Sequence, residues 1–175
     1  FLLKNKEKDR SKYDYTPLRQ LRNRIQQANP LKVVVGGGEL MYDESWIVTN
    51  YEELDIENED DFIFLFGDKK ADNILSSHVH EHLNYPDKAN NNLYKYLKVG
   101  GKLRIAVPDG NHPSEEYINH VKPNGIGAGA DDHKHLWNYE TLLDSFVNAG
   151  FKAEGIEYWF DGNFTKKDWS ISDGF

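Results

Sequence analysis

Cysteine is absent from all 175 residues, so neither a disulfide nor a thiolate metal site is available to this chain. That absence leaves the redox compartment open. Long apolar runs are missing too. None approaches the ~18 residues of a membrane span, and the opening Phe1-Leu2-Leu3 runs into charge rather than a secretory apolar core. Positive charge is in deficit: 21 Lys and Arg stand against 29 Asp and Glu, for a formal net charge of −8. A phosphate-backbone partner requires cations gathered on one face. The one local gathering, Arg19, Arg22 and Arg24 on an expected helix, reads as a solvated face. These absences argue against nucleic acid and membrane as partners and point to a soluble, cytoplasmic protein. Repeats, low-complexity tracts and linkers are also missing, and the length suits one domain with a real core. With Phe1 rather than Met at its first position, the chain is expected to have lost its beginning.

What is present alternates strands with helices. Residues 1–15 are charged and without period, as in a flexible arm, and a single domain is expected over 16–175. Thr16 as cap, Pro17 at the first position and Leu18, Leu21, Ile25 and Ala28 at helical spacing predict a first helix that breaks at Asn29-Pro30. Lys32–Val35 and Trp46–Thr49 read as strands. Phe62–Phe66 has the composition of a buried strand. Asn58 followed by Glu59, Asp60 and Asp61 signals a capped helix start, and a short helix is the reading adopted. Asn73–Ser77 is the next strand, and Pro86–Lys98 a helix closed by Gly100-Gly101 before a strand Lys102–Val107 that Pro108 ends. A glycine-rich connection from Lys122 to His135 has little regular pattern and the size of a lid or binding loop. Asn138 caps a last helix ended by Gly150, and Ile156–Phe160 enters an Asp161-Gly162 hairpin turn. This order predicts an α/β fold with a mainly parallel sheet covered on both faces.

Three segments fall at the carboxyl ends of strands, where open α/β sheets bind ligands. Gly36-Gly37-Gly38 lets backbone approach a ligand at the edge of the first strand. Asn50 ends the second strand, where nucleotide-binding sheets place a ribose-bonding side chain. Its amide donates and accepts but lacks the charge of a carboxylate; Glu52, Glu53 or Asp55 can take over that role, with Asp55 also within reach of an adenine amino group. Ser77-His78-Val79-His80-Glu81-His82-Leu83 runs off the third strand. Were a helix to start there, His78, Glu81 and His82 would share one face, fit for a divalent metal or for acid and base work. Asp131-Asp132-His133-Lys134-His135 offers further ligands that a lid could bring over the site.

The run Ser77–Leu83, the run Tyr96–Gly110 and the segment Gly127–Tyr139, with His112-Pro113 and Tyr117-Ile118, resemble a group of predicted bacterial methyltransferases. They are class I S-adenosylmethionine-dependent enzymes, similar to methyltransferase type 11, and the likeness covers about residues 31 to 175. It implies a Rossmann-like sheet of seven strands, mostly parallel, with a strand pair expected beyond Phe175. It also implies S-adenosylmethionine as cofactor: Gly36 and Gly38 on its methionine part, Asn50 on the ribose, Asp55 on the adenine, and Ser77 and His78 beside the sulfonium. Some related methyltransferases hold a divalent metal in a Glu-x-x-Glu-His cluster with a distant His, and His78, Glu81, His82 and His133 are similar.

The expected activity is methyl transfer to an oxygen or nitrogen of a small molecule or glycan precursor. His78, Asp109 or His133 serves as the base, and Trp137 and Tyr139 line the acceptor pocket. Two alternatives remain open. His78-x-x-Glu81-His82 also matches an inverted zinc-peptidase signature, and the fold can persist as a binding domain that has lost the donor site.

Overall fold

A computed structural model describes residues 15–38 and 43–168. Apart from Tyr15, the arm expected at the amino terminus lies outside the described residues. The elements run α1 (Thr16–Gln27), β1 (Lys32–Val35), β2 (Trp46–Thr49), α2 (Glu59–Phe66), β3 (Ala71–Ser77), α3 (Pro86–Tyr96), β4 (Leu97–Ala106), α4 (Glu115–Val121), α5 (Tyr139–Asn148), β5 (Glu157–Phe160) and β6 (Asn163–Lys166). Short 3-10 turns form at His80–His82 and Ala130–Asp132.

Four strands build one parallel sheet in the order β2-β1-β3-β4, and β5 pairs antiparallel with β6 in a separate hairpin. The described residues therefore hold fewer strands than the seven implied by resemblance. Parallel pairing buries β1 almost completely, because helices cover the sheet. Val33 and Val35 of β1, Ile47 of β2 and Ile74 of β3 point into one core with Leu18, Leu21 and Ile25 of α1, Phe62, Leu65 and Phe66 of α2, and Ala89, Leu93 and Tyr96 of α3. Arg19, Arg22 and Arg24 of α1 stay exposed.

The helical reading of the second apolar run holds. The Asn58 side chain accepts from the Asp60 N–H at the start of α2, and Phe62, Leu65 and Phe66 bury while Ile63 stays half exposed. Gln26 then bonds the Leu65 and Phe66 carbonyls at 2.9 and 2.7 Å, and Lys69 returns the favour to the Gln26 and Ala28 carbonyls, so α1 and α2 close each other's ends.

Two expectations need correction. Tyr15, not Thr16, occupies the cap of α1, with Thr16 and Pro17 inside the first turn. Gly100-Gly101 does not close α3. That helix stops at Tyr96, β4 begins at once, and the glycines sit in an irregularity of the β3–β4 ladder between the Ala71–Leu97 and Asn73–Lys102 pairs. Gly100 takes φ 79°, and a β-carbon on Gly101 would stand 2.9 Å from the Asp72 and Lys98 carbonyl oxygens. Close backbone approach, rather than helix capping, requires glycine there.

Candidate functional site

The strand order reverses at β1: the chain leaves it for β2 on one side and returns to β3 on the other. The crevice outside the carboxyl ends of β1 and β3 is the switch point at which such sheets bind ligands. Registers Val35↔Thr49 and Val35↔Ser76 bring the next residues, Gly36, Asn50 and Ser77, to this one edge.

The loop after β1 is tied to β2 rather than left open. The Gly37 N–H bonds the Thr49 carbonyl at 3.1 Å, and the Gly38 N–H bonds Asn50 Oδ1 at 2.9 Å. Asn50 in turn has its own N–H held by Glu53 Oε2 at 2.9 Å. With Oδ1 engaged, the group that Asn50 has to offer a hydroxyl is its Nδ2 amide. Gly36 and Gly38 adopt φ 64° and 57°, which L side chains rarely take. A β-carbon at Gly36 would overlap the Val79 Cγ2 methyl, whereas one at Gly38 meets nothing within 4 Å among the described residues. The loop thus presents bare backbone at Gly38, with Val79 closing the crevice over Gly36.

Asp55 turns inward: its Oδ1 accepts the Glu57 N–H at 2.9 Å, and its own N–H bonds the buried Asp61 carboxylate. Asp109 is likewise engaged, with Oδ1 on the Asn111 N–H at 2.9 Å and Oδ2 on the Trp159 N–H at 2.6 Å. That second bond moors the β5–β6 hairpin to the end of β4. Asp109→Ala should lower stability by about 2 kcal/mol, as hydrogen bonds to a charged acceptor predict. The loss is measured by urea unfolding, with the Trp159 amide the first to exchange. Unchanged protection of that amide would remove the mooring role.

The histidine run does not form the α-helix considered above. His78 leaves β3 at φ 55° with its N–H on the Ala106 carbonyl, and only His80–His82 make a 3-10 turn. His78 and His82 therefore do not share a helical face, and the geometry of the inverted peptidase signature is not built. Instead His78 Nδ1 bonds Glu81 Oε1 at 3.1 Å, and that bond raises the imidazole pKa above its ordinary value while partial burial opposes the rise. His80 is fully buried and holds Asn90 Oδ1 at 3.1 Å through Nε2; Asn90 continues to the Ser145 hydroxyl at 2.6 Å. Burial pushes His80 down to about 4, so the ring is neutral.

The connection 122–135 is a strap over this turn. The Lys134 and His135 N–H groups bond the Glu81 carbonyl at 2.6 and 3.1 Å, His135 Nε2 bonds the Leu83 carbonyl at 2.9 Å, and the Trp137 indole N–H bonds the His80 carbonyl at 3.1 Å. Trp137 thus fastens the strap, while Tyr139 stacks on Tyr158 at 3.8 Å between α5 and the hairpin. His133 lies beside His82, their rings 4.7 Å apart and edge to face. A shallow depression of about 470 Å³ bordered by Asn111, Glu140, Phe160, Asp161 and Gly162 lies at the hairpin, beside the loop that follows β4.

Sequence reasoning missed Val79 as the side chain over Gly36, Ser76 as a buried hydroxyl at the end of β3, and Asp132 as the partner of His82 at 3.4 Å. An apolar residue between two histidines carries no signal of its own. Asp132 is separated from His82 by the whole of β4 and α4, so only tertiary structure pairs them. No helix among the described residues is long and apolar enough to cross a membrane. A family model described as a methyltransferase domain matches residues 11–155. No curated protein matches the chain.

Proposed function

The chain belongs to the methyltransferase-domain family, of the class I S-adenosylmethionine-dependent kind, and from that premise we propose that it transfers a methyl group from S-adenosylmethionine to an oxygen or nitrogen of a small molecule or glycan precursor. The observation that carries this reading is the bond from the Gly38 N–H to Asn50 Oδ1. It joins the bare loop after β1 to the polar end of β2, at the crevice where a nucleoside donor lies in such sheets.

When bound, the donor supplies an electrophilic methyl group on a sulfonium. The chain's own residues supply position. The Gly36–Gly38 backbone lies along the methionine part, with Gly38 leaving room that a side chain would take. Asn50 Nδ2 donates to a ribose hydroxyl, while Oδ1 keeps the loop in register. Ser77 and His78, next along the same edge, form the wall on the acceptor side. Of the three candidate bases, His78 is the exposed one, with Nδ1 on Glu81 and Nε2 left to take a proton from an acceptor hydroxyl or amine. Asp109 already accepts two backbone N–H groups, and His133 is part-buried in the strap with its ring against His82. Holding nucleophile and methyl in line accounts for up to ~7–11 kcal/mol of barrier, and a base adds ~10²–10⁴-fold.

Titration of S-adenosylhomocysteine into the folded protein tests the reading by calorimetry. Saturable heat is expected, with Asn50→Ala about tenfold weaker, the worth of one hydrogen bond. Absence of heat up to millimolar ligand would end it and leave a binding domain on the same fold.

A further inference from the structure

The Glu81 side chain is almost wholly buried, yet His78 Nδ1 meets only one of its oxygens. Its Oε2 is buried without a hydrogen-bond partner among the described residues. An ionised carboxylate in that position is costly unless a cation stands beside it. The charged partner that meets it is the His78 imidazole, on Oε1. What does converge there is imidazole: one ligand atom each from Glu81, His82 and His133 lie within 4.8 Å of one another.

The outer hydrogen bonds prepare both rings for a metal. A carbonyl only accepts, so the bond of 2.6 Å between His133 Nδ1 and the Val121 oxygen places the proton on Nδ1 and the lone pair on Nε2. His82 Nδ1 faces Asp132 Oδ2 at 3.4 Å, which orients that ring in the same sense. Metal-ligating histidines usually give their second nitrogen to a carbonyl or carboxylate in this way. Two imidazoles and one carboxylate, with positions left for water or substrate, make a set suited to zinc and to other divalent transition metals.

We propose that Glu81, His82 and His133 bind one divalent transition-metal ion, which fastens the strap of residues 122–135 to the 3-10 turn beyond β3. His78 and Asp132 act from outside the coordination sphere, His78 on Glu81 and Asp132 on His82. Ligands come from both segments, so the ion holds them together where backbone hydrogen bonds already bring them close.

The test uses the full chain without a histidine tag, freed of metal by a chelator and titrated with Co²⁺ and then Zn²⁺. One equivalent of Co²⁺ should bind with visible bands of a four- or five-coordinate nitrogen and oxygen site, Zn²⁺ should displace it, and the melting temperature should rise with metal. His82→Ala and His133→Ala should each abolish the stoichiometric uptake, Asp132→Asn should weaken it ~10–100-fold, and His120→Ala on α4 should change nothing. Circular dichroism checks folding. Should Glu81→Gln fail to fold, the half-exposed His82 and His133 decide. Uptake that does not saturate at one equivalent below millimolar metal, or that survives both histidine changes, overturns the proposal. Calorimetry with S-adenosylhomocysteine, run beside it, separates failure of the metal site from failure of the donor reading.

Discussion

Replacing Phe62 with alanine lowers the free energy of unfolding by about 3–5 kcal/mol, the range for deleting a large buried aromatic. A domain of this size has only about 5–15 kcal/mol to lose. Phe62 has no exposed surface; its ring stacks on Tyr96 of α3 at 4.9 Å and packs against Phe66 at 5.4 Å. It therefore joins α2 to α3 in the core beneath the sheet, and neither neighbour has a flexible side chain able to refill the space. Ile63, the next residue, is 52% exposed, so Ile63→Ala should stay within about 0.5 kcal/mol. Leu65→Ala should cost about 2–5 kcal/mol, because Leu65 is also fully buried. A strand would sort the same residues by alternation, setting Phe62, Phe64 and Phe66 against Ile63 and Leu65. Urea unfolding of the three variants distinguishes the patterns: equal losses at Phe62 and Ile63, or a loss below 1 kcal/mol at Phe62, would contradict the helical packing.

That segment shows what the residues reveal and what they withhold. Composition alone left helix and strand in competition, and the cap decided, because Asn58 and three acids fit only a helix start. The hairpin was equally legible: Asp161 and Gly162 both take positive φ, the demand of a two-residue turn that Asp-Gly meets. Gly100-Gly101 misled for the opposite reason. Glycine after a helix most often closes it, whereas here its use is set by the Asp72 carbonyl of a neighbouring strand, which nothing local announces. The short helix α4 went unread although Ser114 accepts the Tyr117 N–H ahead of Glu115 and Glu116, a cap and acid signal masked by the prolines and glycines around it.

Around the crevice the same division holds. Gly36, Asn50 and Ser77 could be assigned to one edge from strand ends alone, since parallel strands in register deliver their carboxyl ends together. The commitment of each side chain could not. Asp109 and Asp55 have the composition of catalytic or binding carboxylates, but both are occupied by backbone N–H groups. Conversely, the grouping of Glu81 and His82 with His133 depends on a strap that folds back onto the turn after β3, and a sequence holds no measure of that closure.

In metal-free protein, stability should fall by about 3 kcal/mol as the pH drops from 6.5 to about 4, through His80 alone. An unfolded imidazole titrates near 6.5 and the folded His80 at about 4. At about 1.4 kcal/mol per pH unit the gap has that size. The direction follows from proton counts: between those values the unfolded chain binds a proton that the folded chain excludes, so acid favours unfolding. Above pH 6.5 neither state carries it, and the contribution is complete. The cause is burial between the turn, Asn90 of α3 and Phe146 of α5, where the ring centroids stand 5.3 Å apart; Asn90 Oδ1, engaged by Nε2, resists the fall only in part. His78 works in the other sense, because its raised value adds stability that is present below 6.5 and lost as the pH climbs through the folded value. The two effects occupy opposite sides of 6.5, so a series of urea unfolding curves from pH 4.5 to 7.5 resolves them. His80→Gln keeps an N–H for Asn90 Oδ1 and removes the titration, and its curve should be flatter than that of the native chain by most of the 3 kcal/mol. Equal slopes for the two proteins below pH 6.5 would mean that His80 takes up its proton without unfolding the turn, and the buried neutral imidazole would have to be given up.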